Sequence, residues 1–342
     1  MTKYAYSNDN ELVANGLSEP REEVLGTVQP AGRTSRTEPS RMLGHDASTS
    51  AFKLAYFDPP KALERYILTL FYCEWGEGIV EDRHPGPMGH LYLTIKGNGT
   101  VNFDGHIDEI APGPAMFNAF DVAAPFRLNG PYRCLGASLS PFGWAALTGV
   151  PVEDCKNRFL HARDLLGDDI SVFTSMIIEK CLADEMTAEQ ACFAVADWIG
   201  ARLKPIPATH EVFIEHVLAW LGSSLNPRLE NLFDGQPYSR RQMERLVRRY
   251  FGFAPRGLAR KFRAIRAAHL LAQDELSDEG AAEIAEAFVD QPHMIREIRR
   301  FSGNTPTGLG GGEDPMFIKL TKIRNLERLR PYREIGTDPC KS

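Results

Sequence analysis

The sequence predicts an α+β chain: a β-rich N-terminal region, a pair of helices, and an all-helical C-terminal region made from two copies of one unit. Three observations predict this. Residues 239–306 repeat at a spacing of 51, with Met243 on Met294, Arg245 on Arg296, Arg248 on Arg299, Arg249 on Arg300, Gly252 on Gly303 and Pro255 on Pro306. Residues 52–140 hold short apolar runs broken by Gly, Asn and Pro, the texture of a small barrel or sandwich. Residues 165–203 switch to helical spacing.

A length of 342 residues allows two ordinary domains, and 43% hydrophobic content supports real cores. Residues 1–50 are polar and without periodicity, which predicts a disordered tail. The chain opens on polar residues and contains no long apolar run, so neither a secretory leader nor a membrane span is expected. The six cysteines are scattered without a Cys-x-x-Cys pair, which suits reduced thiols and a cytoplasmic setting.

In the β-rich region the runs Ile67 to Tyr72, Leu91 to Ile95, Thr100 to Phe103, Ile107 to Ile110 and Ala115 to Phe117 read as strands. Lys96-Gly97-Asn98-Gly99 reads as a hairpin turn between the second and third of these, since Asn-Gly suits the left-handed turn positions. Trp75, Tyr92, Phe103, Phe117, Phe120, Phe126 and Trp144 could line an apolar pocket or fill the core. His84, His90 and His106 occur without a His-x-His pair, and Glu109, three residues after His106, falls on the other face of a strand. Surface histidines are therefore expected, and no metal or cofactor.

The helical pair keeps Val172, Met176, Ile177 and Cys181 on one stripe and Phe193, Val195, Ala196 and Ile199 on the next. Thr187 and Gln190 offer a capping box for the second helix. Lys204-Pro205-Ile206-Pro207 is a stiff linker. Beyond it a helix runs through Phe213, Val217 and Leu221, followed by a short one with Leu229, Leu232 and Phe233.

Ser239 and Gln242 form a second capping box. It opens a helix whose apolar positions Met243, Leu246, Val247, Tyr250 and Phe251 make one stripe. Gly252 stops that helix and Pro255 starts a connecting one. Residues 238–269 carry nine Arg and one Lys against the single acid Glu244, a charge of +9. The whole chain is −6, which leaves −15 on the rest. Such concentration is an electrostatic footprint for phosphate. The second unit is poorer in cations: residues 274–303 hold three Arg against eight acids. Its final helix should start at Gln291 or Pro292 with Asp290 as cap.

The two runs Ser239-Arg240-Arg241-Gln242-Met243-Glu244-Arg245-Leu246 and Asp290-Gln291-Pro292-His293-Met294-Ile295-Arg296-Glu297 carry a resemblance. With their Gly-x-x-Pro closures, residues 208–309 resemble the double helix-turn-helix domain of the AraC/XylS family of bacterial transcription regulators. Phe233 stands where that family has a small residue, and Ile284 to Phe288 is two residues shorter than the family's run. The run Gly310-Gly311-Gly312 sets off a C-terminal tail at 310–342, and the resemblance implies a cupin-like β-barrel sensor domain with a helical pair over residues 51–204. It implies a sequence-specific transcription factor, an activator or a repressor, bound to double-stranded DNA. It leaves room for RNA polymerase, a small-molecule effector and a second copy of the chain as further partners. The helical pair would dimerise the chain or simply pack on the barrel.

By motif position the base-reading candidates are Arg241, Glu244 and Arg245 in the first unit and Gln291, His293 and Arg296 in the second. Arg pairs with guanine, Glu accepts from cytosine N4, and Gln bridges adenine. Ser239, Arg240, Arg248 and Arg299 are the phosphate candidates, which fix register without reading sequence. A metal-dependent cupin-type enzyme with an accessory helical domain is the alternative. No catalytic residue is singled out, and no Gly-x-Ser-x-Gly occurs.

Overall fold

In the computed structural model residues 53–86, 88–272 and 276–305 are described. The expected tails at 1–50 and 310–342 lie outside them. The β strands are β1 (Lys53–Phe57), β2 (Ile67–Trp75), β3 (Ile79–His84), β4 (Gly89–Phe103), β5 (His106–Ile110), β6 (Gly113–Phe117), β7 (Ala124–Leu139) and β8 (Phe159–His161). Helix α1 (Pro141–Thr148) precedes β8. After β8 come α2 (Ala162–Leu166), α3 (Asp169–Leu182) and α4 (Ala188–Gly200). The C-terminal helices are α5 (Ala208–Gly222), α6 (Leu229–Phe233), α7 (Arg240–Phe251), α8 (Pro255–Leu271), α9 (Asp278–Ala287) and α10 (Gln291–Ser302). All of these belong to one compact unit.

The expected cupin-like barrel is not formed. The eight strands make one open sheet in the order β1-β2-β7-β4-β6-β8, with β3 also on β7 and β5 also on β4. Its ends, β1 and β8, share no ladder among the described residues. The physical reason lies in the two long central strands. β7 pairs with β3 through residues 124–129 and with β2 through residues 132–139. β4 pairs with β6 through residues 90–94 and with β5 through residues 99–103. Each long strand therefore serves two partners along one edge, and the sheet bends along the β4–β7 pair instead of closing at its ends.

The bend falls where the sequence reading placed a hairpin turn. Gly97 adopts φ +89, but the chain does not reverse there. The β4–β7 register shifts between Thr94 and Lys96 and again between Lys96 and Asn98, so the glycine serves a bulge. A Cβ on Gly97 would lie 2.6 Å from the Tyr132 ring. Asn98 Oδ1 accepts from Asn129 Nδ2 at 2.7 Å across the strands.

Both faces of the central strands are covered: Leu91, Leu93 and Ile95 of β4 and Leu135, Ala137 and Leu139 of β7 belong to one core, and Tyr132 and Cys134 of β7 to another. Helices α2 and α3 lie against β6, and α4 against β2 and β7. The Thr187–Gln190 capping box forms as expected.

One apolar core runs from this sheet through α1, α4 and α5 into the first repeated unit, where it includes Met243, Leu246, Val247 and Phe251. The second unit has a separate core of Leu225, Ala267, Ile284, Phe288 and Ile298.

Candidate nucleic-acid interface

Helix α7 forms for the local reasons its sequence states. Ser239 Oγ accepts from the Gln242 amide at 3.3 Å, and the Ser239 amide donates to Gln242 Oε1 at 2.8 Å. Gly252 closes the helix at φ +78. All five apolar stripe residues are buried, so the opposite face is presented outward. Ser239, Arg240, Arg241, Glu244, Arg245 and Arg248 line one open groove on that face. Arg241, Arg245 and Arg248 are exposed. Arg240 sits 3.6 Å from the Glu244 carboxylate, and its guanidinium lies 4.7 Å from the centre of the Phe233 ring. Phe233, a departure from the family pattern, thus forms a platform for an arginine.

Helix α10 repeats the design with differences. Asp290 caps it through the His293 amide at 2.6 Å, and Gly303 closes it at φ +84. Gln291, Arg296 and Arg299 are exposed. His293 is turned toward its own helix, with Nε2 3.1 Å from Glu297 Oε1. Glu297 is 1% exposed and also binds Arg260 and Arg263 of α8, the latter at 2.6 Å. Sequence reasoning missed this carboxylate. The signal was available: in the 51-residue repeat Glu297 falls on Leu246, a core position.

The connecting helix α8 turns several of its cations onto protein groups. Arg260 and Arg263 neutralise Glu297. Arg266 donates to the Leu221 and Ser224 carbonyls at 3.2 and 2.7 Å. Lys261, the one lysine in the basic count, is fully buried. Its Nζ donates to the Gly86 carbonyl at 2.8 Å and to the Phe120 carbonyl. Burial pulls its pKa down to about 7, with Asp121 opposing the shift and Lys156 adding to it. The free positive face is therefore narrower than the charge count suggests, and it is centred on α7.

Both closing glycines abut the N-terminal part of the chain. A Cβ on Gly252 would lie 2.9 Å from Ala119 and Val152, and one on Gly303 would lie 2.6 Å from Arg83. The Ala123 amide donates to the Arg300 carbonyl at 2.9 Å, and Arg249 donates to the Gly149 carbonyl at 3.3 Å. Lys261 holds α8 between these two seats.

Inside the bent sheet lies a cavity of about 100 Å³. Trp75, Tyr92, Phe117, Phe120 and Phe126 line it as the sequence allowed, while Phe103 and Trp144 are core. His84 and His90, expected at the surface, also line it. His106 is exposed and pairs with Asp108 at 2.8 Å. Among the described residues no group of three or more His, Cys, Asp or Glu could hold a metal ion. Nor is any described helix long and apolar enough to cross a membrane.

Two outward-facing helices, each capped in front, closed by a left-handed glycine and joined by a connecting helix, define a double helix-turn-helix DNA-binding domain. Residues 237–309 match the protein-family model described as "Helix-turn-helix domain". Residues 237–309 of the chain thus form a helix-turn-helix domain. No curated protein matches the sequence. Among solved structures, ToxT from Vibrio cholerae O395 is similar at 10% identity over 71% of this chain and 97% of its own, with a TM-score of 0.39. The AraC-like transcriptional activator CuxR is similar at 14% identity over 69% and 86%, with a TM-score of 0.29. Likenesses at this level carry no function across.

Proposed function

We propose that the chain regulates transcription by setting α7 and α10 in successive major grooves of double-stranded DNA. Arg241, Glu244, Arg245, Gln291 and Arg296 read bases. Ser239, Arg240, Arg248 and Arg299 hold phosphate. His293 joins the readers when it leaves Glu297. The observation that carries this reading is the open arginine face of α7, left outward by a stripe that is buried along its whole length. Residues 208–309 form the DNA-binding domain and residues 51–204 a controlling domain, with a small-molecule effector, RNA polymerase and a second copy of the chain as further partners.

Genomic selection with purified protein at two salt concentrations tests the reading. Wild type should enrich a motif with two half-sites about one helical turn apart. The Arg241→Ala/Arg245→Ala protein should lose it. Enrichment of the same motif by wild type and double variant would remove α7 as the reader. Arg245→Ala should also cost more affinity than Arg296→Ala, because the acids before α10 repel the DNA backbone.

A further inference from the structure

We propose that the cavity of the bent sheet binds a small, uncharged, single-ring aromatic molecule bearing a hydroxyl group, a phenol, and that His84 and His90 read that hydroxyl. This rests on the reading of the sheet region as a controlling domain, and names what it senses.

The walls exclude charge. Phe71, Trp75, Phe117 and Phe120 are among the lining residues, and no Asp, Glu, Lys or Arg contributes. A dry apolar cavity of about 150 Å³ accepts benzene. At about 100 Å³ this one is on the scale of a single ring with modest yielding of its walls. The rings are arranged for stacking: His90 lies parallel to Phe117 at 4.6 Å, and Phe117 parallel to Phe159 at 5.6 Å.

The two imidazoles have opposite hydrogen-bonding roles. His84 Nδ1 accepts from the Gly86 amide at 3.0 Å, so in the neutral ring the proton sits on Nε2. His90 Nδ1 faces the Met88 carbonyl at 3.1 Å, so it must donate, and Nε2 keeps a lone pair. The rings stand perpendicular with centres 5.6 Å apart. Burial lowers the pKa of both, that of His90 to about 4. One donor and one acceptor thus stand side by side. A hydroxyl accepts from the first and donates to the second. A carboxylate accepts only, and would face the His90 lone pair. An ether cannot donate. Of the other polar wall groups, the Tyr92 hydroxyl is engaged by Tyr132 at 2.9 Å.

The same residues reach the DNA-binding domain. The Gly86 amide donates to His84, and the carbonyl of the same residue accepts from Lys261 of α8. The Phe120 ring lines the cavity while its carbonyl takes the second Lys261 bond. A molecule bonded to His84 and packed on Phe120 therefore acts on both carbonyls that hold α8.

The experiment uses the full chain and four probes: phenol, toluene, anisole and benzoate. Calorimetry near pH 7.5 should show phenol binding about tenfold tighter than toluene or anisole, the worth of one or two hydrogen bonds, with benzoate not binding. His90→Phe, which keeps the stack and removes the acceptor, should bring phenol down to the toluene level. The ligand series on wild type needs no variant, so a misfolded His90→Phe protein leaves the test decisive. Equal binding of toluene and phenol, or tighter binding of benzoate, overturns the proposal. In a second arm, saturating phenol should change affinity for the selected DNA about fivefold or more, and Lys261→Met should abolish that change while phenol still binds. Unchanged DNA affinity with phenol bound overturns the coupling. Absence of DNA binding under all conditions would count against the regulator reading, and the ligand series would still decide the site.

Discussion

At position 297 the repeat departs from itself. Leu246 fills the core of the first unit, and its counterpart Glu297 brings a buried carboxylate into the second. The charge is tolerable because Arg260, Arg263 and His293 surround it. Glu297→Ala should cost about 2–3 kcal/mol in urea unfolding, below the full range for a broken buried pair because the Arg260 side chain is 48% exposed. Glu297→Leu, which copies the first unit, should not restore stability, since the Arg263 side chain, only 13% exposed, stays without its counter-charge. His90 gives a second residue-scale expectation. Its folded pKa of about 4 lies below the ordinary 6.5, so the unfolded chain takes up the proton first. Its contribution is intact above pH 6.5 and is lost as the pH falls toward 4, about 3 kcal/mol in all. Thermal unfolding between pH 6.5 and 5, above the carboxylate range, should show the slope in wild type and a flatter one in His90→Phe.

Elements whose causes are local were legible in the sequence. The cap, stripe and stop of α7 all lie within fourteen residues, Ser239 to Gly252, and each forms as read. The cap of α10 does so too. What the sequence concealed is non-local. Asn98-Gly99 follows a left-handed glycine that serves a bulge as readily as a hairpin, and only the partner strand β7 decides between them. Closure of a barrel depends on whether β1 and β8 meet, which no single strand encodes. Lys261 was hidden by its charge, although it lies three residues from Leu258 and four from Ile265 on the buried stripe of α8. His84 and His90 looked like surface residues because their burial comes from Phe117 and Phe120, some thirty residues later. The separate cores also separate the helices in stability. Helix α7 shares the large sheet core, and α9 and α10 have a small one. Amide exchange should therefore be slower in α7 than in α9 and α10. Equal protection would show that the second unit opens only with the whole molecule.

At the scale of the whole molecule, net charge conceals how few cations are free to meet DNA. Of the ten basic residues between 238 and 269, Arg249, Arg260, Lys261, Arg263 and Arg266 are tied to protein groups. Arg248→Ala should lower the slope of log affinity against log salt by about 1. Arg263→Ala should leave that slope unchanged even where it lowers stability. A slope change in Arg263→Ala would mean that the arginine leaves Glu297 for phosphate when DNA arrives.

Gly252 and Gly303, the stops of the two outward helices, rest on Ala119, just past β6, and on Arg83 of β3, with Lys261 of the connecting helix also anchored. This makes the molecule a poor donor of interchangeable parts. A chimaera that grafts its C-terminal helices onto a foreign sensor would need surfaces that meet both glycines closely and two inward-facing carbonyls for the lysine. Without them, the spacing of the two helices would no longer be dictated from outside, and the transplanted domain would search DNA with a looser grip than its parent.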